Sequence, residues 1–317
     1  MILILMLFFF SSCNMPGLNE VEIKKIIDIK FVKAVGGYGS IPGKFLFPSD
    51  VLILPDKKDF LEREFNEILV VDKNNNRIQK FDSNLDYESA FGSFGNDTYN
   101  FNSPYGIVAY TKNYIYISDS LNHRIVNYDI KGNFVSILNF IPPAIENFDV
   151  DRLRLSEPKG IDVDSFGNIY IADSGNDRIL KVSATGQFLS EIKGDDFEAK
   201  YFLKPSDVKI DDYGNIYIAD TGNDRVLVMN QNKKVLLEIK GLKSPAGITT
   251  DNKGNIFVSN TAKNKVVVYN IKNEPILELD YKFNMPLGLA IFHENLYVVD
   301  SGNHQIVLFR IEYDKWK

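Results

Sequence analysis

The chain has one cysteine, Cys13, in 317 residues, so no internal disulfide can form. It has three histidines, no Gly-x-Ser-x-Gly motif, no Cys/His pair and no phosphate-binding glycine loop. Basic residues are in deficit: 36 Lys and Arg against 42 Asp and Glu give a formal charge of -6 and a pI near 5.3. That balance weighs against binding a nucleic-acid backbone, which relies on a basic surface. The apolar run Met1–Phe10 is short of the ~20 residues that span a bilayer.

What the chain does have is repetition. Six prolines, Pro48, Pro104, Pro158, Pro205, Pro245 and Pro286, are each followed two residues later by Gly or Asp and then an aliphatic residue. An Asp or Asn opening a polar turn follows each one, at Asp72, Asp119, Asp173, Asp220, Asn260 and Asp300. A period of roughly 40 to 55 residues with strand-like contents marks a repeat architecture. In the third unit Ile161–Val163, Ile169–Ala172, Ile179–Val182 and Phe188–Ile192 read as four strands joined by tight turns, an antiparallel meander. Ile169 and Ile171 on one face, with Tyr170 and Ala172 on the other, suit a sheet packed on both sides. The expected fold is all-β: a six-bladed β-propeller of four-stranded blades. With 44% hydrophobic residues, one such domain uses nearly the whole chain.

Three residues before each proline stands a large apolar side chain: Phe45, Phe101, Leu155, Phe202, Leu242 and Phe283. These read as plugs between neighbouring blades. The last unit has only three strands, whereas Ile27–Val35 is a strand without a unit. The N-terminal strand is therefore expected to complete the last blade and cover an edge that would otherwise be open.

Asp173–Leu180 (Asp-Ser-Gly-Asn-Asp-Arg-Ile-Leu), after Pro-x-Gly-Ile and Gly-Asn-Ile-Tyr-Ile-Ala, resembles the NHL repeat. So do Asp220–Leu227, Asp119–Val126 and Asp300–Val307; the unit at Asp72 is looser and that at Asn260 departs most. The resemblance implies a six-bladed propeller without implying one activity, since the family and its look-alikes include RNA binders, protein-binding modules, lyases and lactonases. Phe10-Ser-Ser-Cys13 resembles the lipobox of bacterial lipoproteins, although no Lys or Arg precedes the apolar run. That resemblance implies a signal peptide over 1–12, lipid on Cys13, a tether over 13–26, and a propeller over 27–317 in the bacterial cell envelope, outside the cytoplasm.

In a four-stranded meander the Asp-x-x-Asn turns share one face, here the upper, with the crossings between blades; the turns between strands one and two lie on the lower face. Arg77, Arg124, Arg178, Arg225 and Lys265 are read as bonding to local turn carboxylates and carbonyls in preference to forming a ring for an acidic ligand. The opening Asp residues are read as capping their own turns. His123 and His304 fall on the upper face and His293 on the lower, so a three-His zinc site cannot assemble. Asp50 and Asp207, where other units carry Gly, are candidate ligands for a divalent cation in the channel. Asp56–Glu67 lengthens a lower-face turn; Phe140–Ser156, Gly95–Asn102 and Asp195–Tyr201 lengthen crossings and are expected to raise a rim over blades two to four. Tyr99, Phe148, Arg152, Arg154 and Tyr201 on that rim are the candidate partner-binding residues. The expected function is a lipid-anchored module that binds a protein or peptide. The alternatives are a cation-dependent hydrolase or lyase at the channel mouth, or an assembly scaffold.

Overall fold

The structure, a computed structural model, describes residues 25–58, 64–193, 201–251 and 253–314. The expected signal segment 1–12, Cys13, most of the tether, the tip of the Asp56–Glu67 insertion and nearly all of Asp195–Tyr201 lie outside the described residues.

Six four-stranded antiparallel sheets stand in a ring. Each begins with an inner strand lining the central channel: Asp50–Lys58, Pro104–Ala109, Pro158–Val163, Asp207–Ile210, Pro245–Thr250 and Pro286–Phe292 for blades one to six. Second, third and outer strands follow in sequence, as in blade three with Ile169–Asp173, Arg178–Val182 and Phe188–Ile192. The period-two pattern accounts for the stacking. Both faces of the second strands are buried, so neither could face water without exposing Ile, Val or Tyr.

Six hydrophobic clusters fill the six blade interfaces, and each contains one of the predicted plugs. Phe45 and Phe101 are 0% exposed, and the least buried plug, Leu155, is 8% exposed. The ring closes as expected. Ile26–Gly36 is the outer strand of blade six, paired antiparallel with Gln305–Tyr313 from Ile26 opposite Tyr313 to Gly36 opposite Gln305. Among the described residues no helix is long and apolar enough to cross a membrane.

Candidate functional site

The upper face is built from a recurrent hydrogen-bond unit, complete in five blades and reduced in blade five, where Asn260 keeps only the bond to the crossing and Lys265 turns to Glu278 of the outer strand. After each second strand the chain makes a single 3₁₀ turn, as at Ser120–Asn122 and Ser174–Asn176. The opening Asp does not cap that turn, contrary to the sequence reading. One oxygen instead accepts a backbone N–H from the crossing that leads into its own blade: Asp119 Oδ1 takes Asn102 N at 2.7 Å, and Asp220 Oδ1 takes Leu203 N at 2.8 Å. The other oxygen takes the Asn side chain three residues on and the Arg five on, Asn122 at 2.8 Å and Arg124 Nε at 2.7 Å for Asp119. Arg124 also donates to the carbonyls of Asp97 and Asn100. The arginines are thus locally engaged, as expected.

A second recurrent bond was not read from the sequence. The residue ending each turn is left-handed and carries an acceptor: Asn76, His123, Asp177, Asp224, Asn264 and His304. Each accepts the N–H of the residue before the proline of the next blade, as His123 Nδ1 does from Glu157 at 3.0 Å and Asp177 Oδ1 from Lys204 at 2.7 Å. The signal for it is the restriction of this position to Asn, Asp and His, which combine an acceptor with tolerance of positive φ.

In the channel, Pro-Ser-Asp-Val occurs twice, in blades one and four, which stand opposite each other. Asp50 accepts from Val51 N at 2.9 Å and from Ile107 N of blade two at 3.0 Å. Asp207 does the same with Val208 and with Ile248 of blade five. Each staples its inner strand to the next one. The preceding blades must carry glycine at this level: a Cβ on Gly288 would come 2.4 Å from Asp50 Oδ1, and one on Gly160 2.1 Å from Asp207 Oδ1.

Burial raises the carboxyl of Asp50 to about 7 and that of Asp207 well above its ordinary value, the latter helped by Asp50. Next to them Lys209 bonds Asp162 at 3.0 Å. Burial opposes the charge of Lys209, yet Asp162, Asp207 and Asp50 together hold its ammonium above the ordinary range. These residues do not fit a divalent cation: both carboxyls are already stapling backbone, and the Lys209 ammonium shares the lumen. No group of three or more His, Cys, Asp or Glu converges as a metal site among the described residues. The channel opens below into a mixed-charge funnel of about 580 Å³ whose lining includes Asp162, Lys209, Asp211, Asp251, Tyr213 and His293. His123 and His304 are on the opposite face, as the strand order requires.

Of the five candidate partner-binding residues, Tyr99 and Tyr201 are exposed on the upper face, at 66% and 69%. The insertion Phe140–Ser156 runs along the outer edge of blade three: Ile141 bridges Gln187, and Phe148 packs on Phe188 with ring centroids 5.5 Å apart. Arg152 pairs with Glu191, and Arg154, largely exposed, pairs with Asp151 at 3.1 Å. Two aromatic residues escaped the sequence reading. Tyr38 and Phe94 occupy equivalent positions in the crossings before blades one and two, each bridging the plug seven residues later, and both are exposed. Their signal is a shared Gly-x-aromatic-Gly: Gly36-Gly37-Tyr38-Gly39 and Gly92-Ser93-Phe94-Gly95.

Comparison with known proteins agrees with this architecture. The NHL repeat profile matches residues 283–309. The chain is similar to protein brain tumor of Drosophila melanogaster, 27% identical over 182 residues, 56% of this chain; it spans 15% of that relative's length. Among solved structures, virginiamycin B lyase from Staphylococcus aureus superposes with a TM-score of 0.59 at 12% identity, covering 90% of this chain and 100% of the lyase. An auxiliary nutrient binding protein from Bacteroides thetaiotaomicron gives 0.64 at 10% identity, over 92% of this chain and 77% of its own. A chain of a nidogen/laminin complex gives 0.56 at 17% identity, over 74% and 84%. These likenesses are of fold.

Proposed function

We propose that this chain is an NHL-type propeller of the bacterial cell envelope, held outside the cytoplasm by lipid on Cys13, whose upper face binds a protein or peptide. One observation carries the binding face. Large exposed apolar residues gather in the upper-face crossings, with Tyr38, Ile41, Phe94, Tyr99, Tyr201 and Met285 among them; the lower-face turns carry Tyr114, Phe166 and Tyr213. Exposed apolar and aromatic side chains grouped on one face are the usual mark of a protein-binding surface. Phe148, Arg152 and Arg154 extend this surface to the outer edge of blade three, and the fold likeness to a component of the nidogen/laminin complex supports a protein ligand.

The test is affinity capture from solubilised envelope. The wild-type chain is expected to retain a partner that is lost with Tyr38→Ser, Phe94→Ser, Tyr99→Ser and Tyr201→Ser combined, at an unchanged melting temperature. Retention of the same partner by that stably folded variant would overturn the upper-face reading. For the anchor, Cys13→Ser is expected to abolish palmitate labelling and release the chain from the membrane fraction; labelling that survives the change rejects it.

A further inference from the structure

Two lysines break the repeat at the upper mouth of the channel. The residue after the opening Asp or Asn of each turn is Ser120, Ser174, Thr221, Thr261 or Ser301 in five blades and Lys73 in blade one. The two threonine hydroxyls bond backbone of the next blade, Thr221 Oγ1 the carbonyl of Pro245 at 2.8 Å and Thr261 Oγ1 that of Pro286 at 2.7 Å. A lysine cannot make that bond, and Lys73 extends instead toward Tyr105 of the neighbouring blade two. The residue after each proline is Ser49, Tyr105, Lys159, Ser206, Ala246 or Leu287. Lys159 is thus the one cation in a ring of otherwise neutral residues.

The two side chains converge. Lys73 Nζ lies 5.8 Å and Lys159 Nζ 5.6 Å from the centroid of the Tyr105 ring, so blades one and three each direct an ammonium at an aromatic face supplied by blade two. Both lysines are half-buried, and among the described residues neither ammonium has an ion-pair or hydrogen-bond partner. Tyr105 also lines the small cavity holding Asp50 and Asp207, which neither lysine reaches. Burial lowers both ammonium groups from their ordinary range; for Lys159 the nearby Glu157 acts against this, and Lys73 and Lys204 add to it. Two partly desolvated like charges without a direct ion-pair partner are unfavourable unless an anion joins them.

We propose that Lys73, Tyr105 and Lys159 form a carboxylate-binding site at the upper mouth, which takes an acidic side chain or the C-terminal carboxylate of a peptide. The proposal deepens the upper-face reading above and rests on it for the peptide nature of the ligand. The chemistry selects a compact anion on an apolar stem. Two ammonium groups give charge-assisted hydrogen bonds to its oxygens, the Tyr105 ring packs its methylenes, and Ala246 and Leu287 make the facing side of the mouth apolar. A polyanion is disfavoured by the net charge of -6.

The test is calorimetric titration of the whole chain with the amidated peptide Gly-Glu-Gly-Glu-Gly and, in parallel, its Gln counterpart. The Glu peptide is expected to bind saturably and the Gln peptide not at all. Lys73→Ser and Lys159→Ser, residues that equivalent positions already carry in other blades, are each expected to weaken the Glu peptide roughly tenfold. Lys73→Arg should restore much of the loss. Equal binding of the two peptides, or unchanged affinity in a folded Lys73→Ser, Lys159→Ser double variant, would overturn the site. So would tighter binding of inorganic phosphate or of a short single-stranded RNA than of the Glu peptide. The titration needs no cellular partner, so its failure removes the carboxylate site alone. Failure of the envelope capture removes the upper-face reading and leaves the titration standing.

Discussion

Nδ1 of His304 accepts the backbone N–H of Phe47 at 3.0 Å, joining the last turn of the ring to the residue before the first proline. The imidazole also packs edge-on against the Phe47 ring, with centroids 4.6 Å apart. His304 sits at φ +58, where Asn substitutes and Ala is strained. His304→Ala is expected to cost about 1–3 kcal/mol from the lost bond and the backbone strain together. His304→Asn should recover most of this, because Asn76 and Asn264 make the same bond elsewhere. Urea denaturation of both variants decides it: equal losses would mean the bond contributes nothing.

Asp119 is fully buried and accepts from Asn102, Asn122 and Arg124. Asp119→Ala leaves Arg124, whose side chain is only 13% exposed, without its carboxylate. Breaking a buried pair from one side costs about 3–5 kcal/mol. A folded variant with a melting temperature near wild type would show that the arginine finds its compensation in the Asp97 and Asn100 carbonyls alone.

The closing strand should behave as part of the cooperative unit. A chain beginning at Gly37 leaves the edge of Gln305–Tyr313 unpaired and uncovers Phe309, whose neighbour Phe31 lies 6.2 Å away. Its thermal unfolding is expected to shift down by many degrees and to broaden. An unchanged, equally sharp transition would show that blade six is stable with three strands.

Much of this was legible in advance. Proline spacing, the plugs at Phe45 to Phe283 and the missing last strand are one-dimensional patterns, because burial acts on residue type at fixed intervals. The target of a carboxylate is different in kind. Asp119 could as well have capped its own turn; it reaches Asn102 because blade packing brings the crossing above it. The latch from His304 to Phe47 spans nearly the whole chain, and Lys73, Tyr105 and Lys159 meet only once three blades are stacked. Tyr38 and Phe94 were readable from their matching Gly-flanked loops, but only by aligning the crossings with each other and not merely the strands.

Stability should fall with rising pH through the window set by Asp50. Its carboxyl lies near 3.8 when unfolded and about 7 when folded, because burial disfavours the charge. Between those values the folded chain binds the extra proton, so unfolding free energy declines from about pH 4 to pH 7 and then levels. Asp207, shifted in the same direction, adds to the slope. Asp50→Asn should flatten the dependence of the urea midpoint on pH over this interval. A slope identical to wild type would mean Asp50 is already ionised in the fold.

Ile26 pairs with Tyr313 at the lower end of blade six, and the N–H of Asp314 donates to the carbonyl of Lys25 at 2.9 Å. Lys25 and Asp314 therefore stand side by side at the lower rim. Anything that fixes the upstream segment attaches the chain at the end where the lower funnel opens, opposite the aromatic crossings. Cys13 precedes Lys25 by twelve residues, a leash of at most about 40 Å when fully extended. A lipid at that cysteine would keep the lower rim within that reach of a membrane, with Tyr38, Phe94 and the Lys73–Lys159 mouth at the opposite end of the ring from the point of attachment.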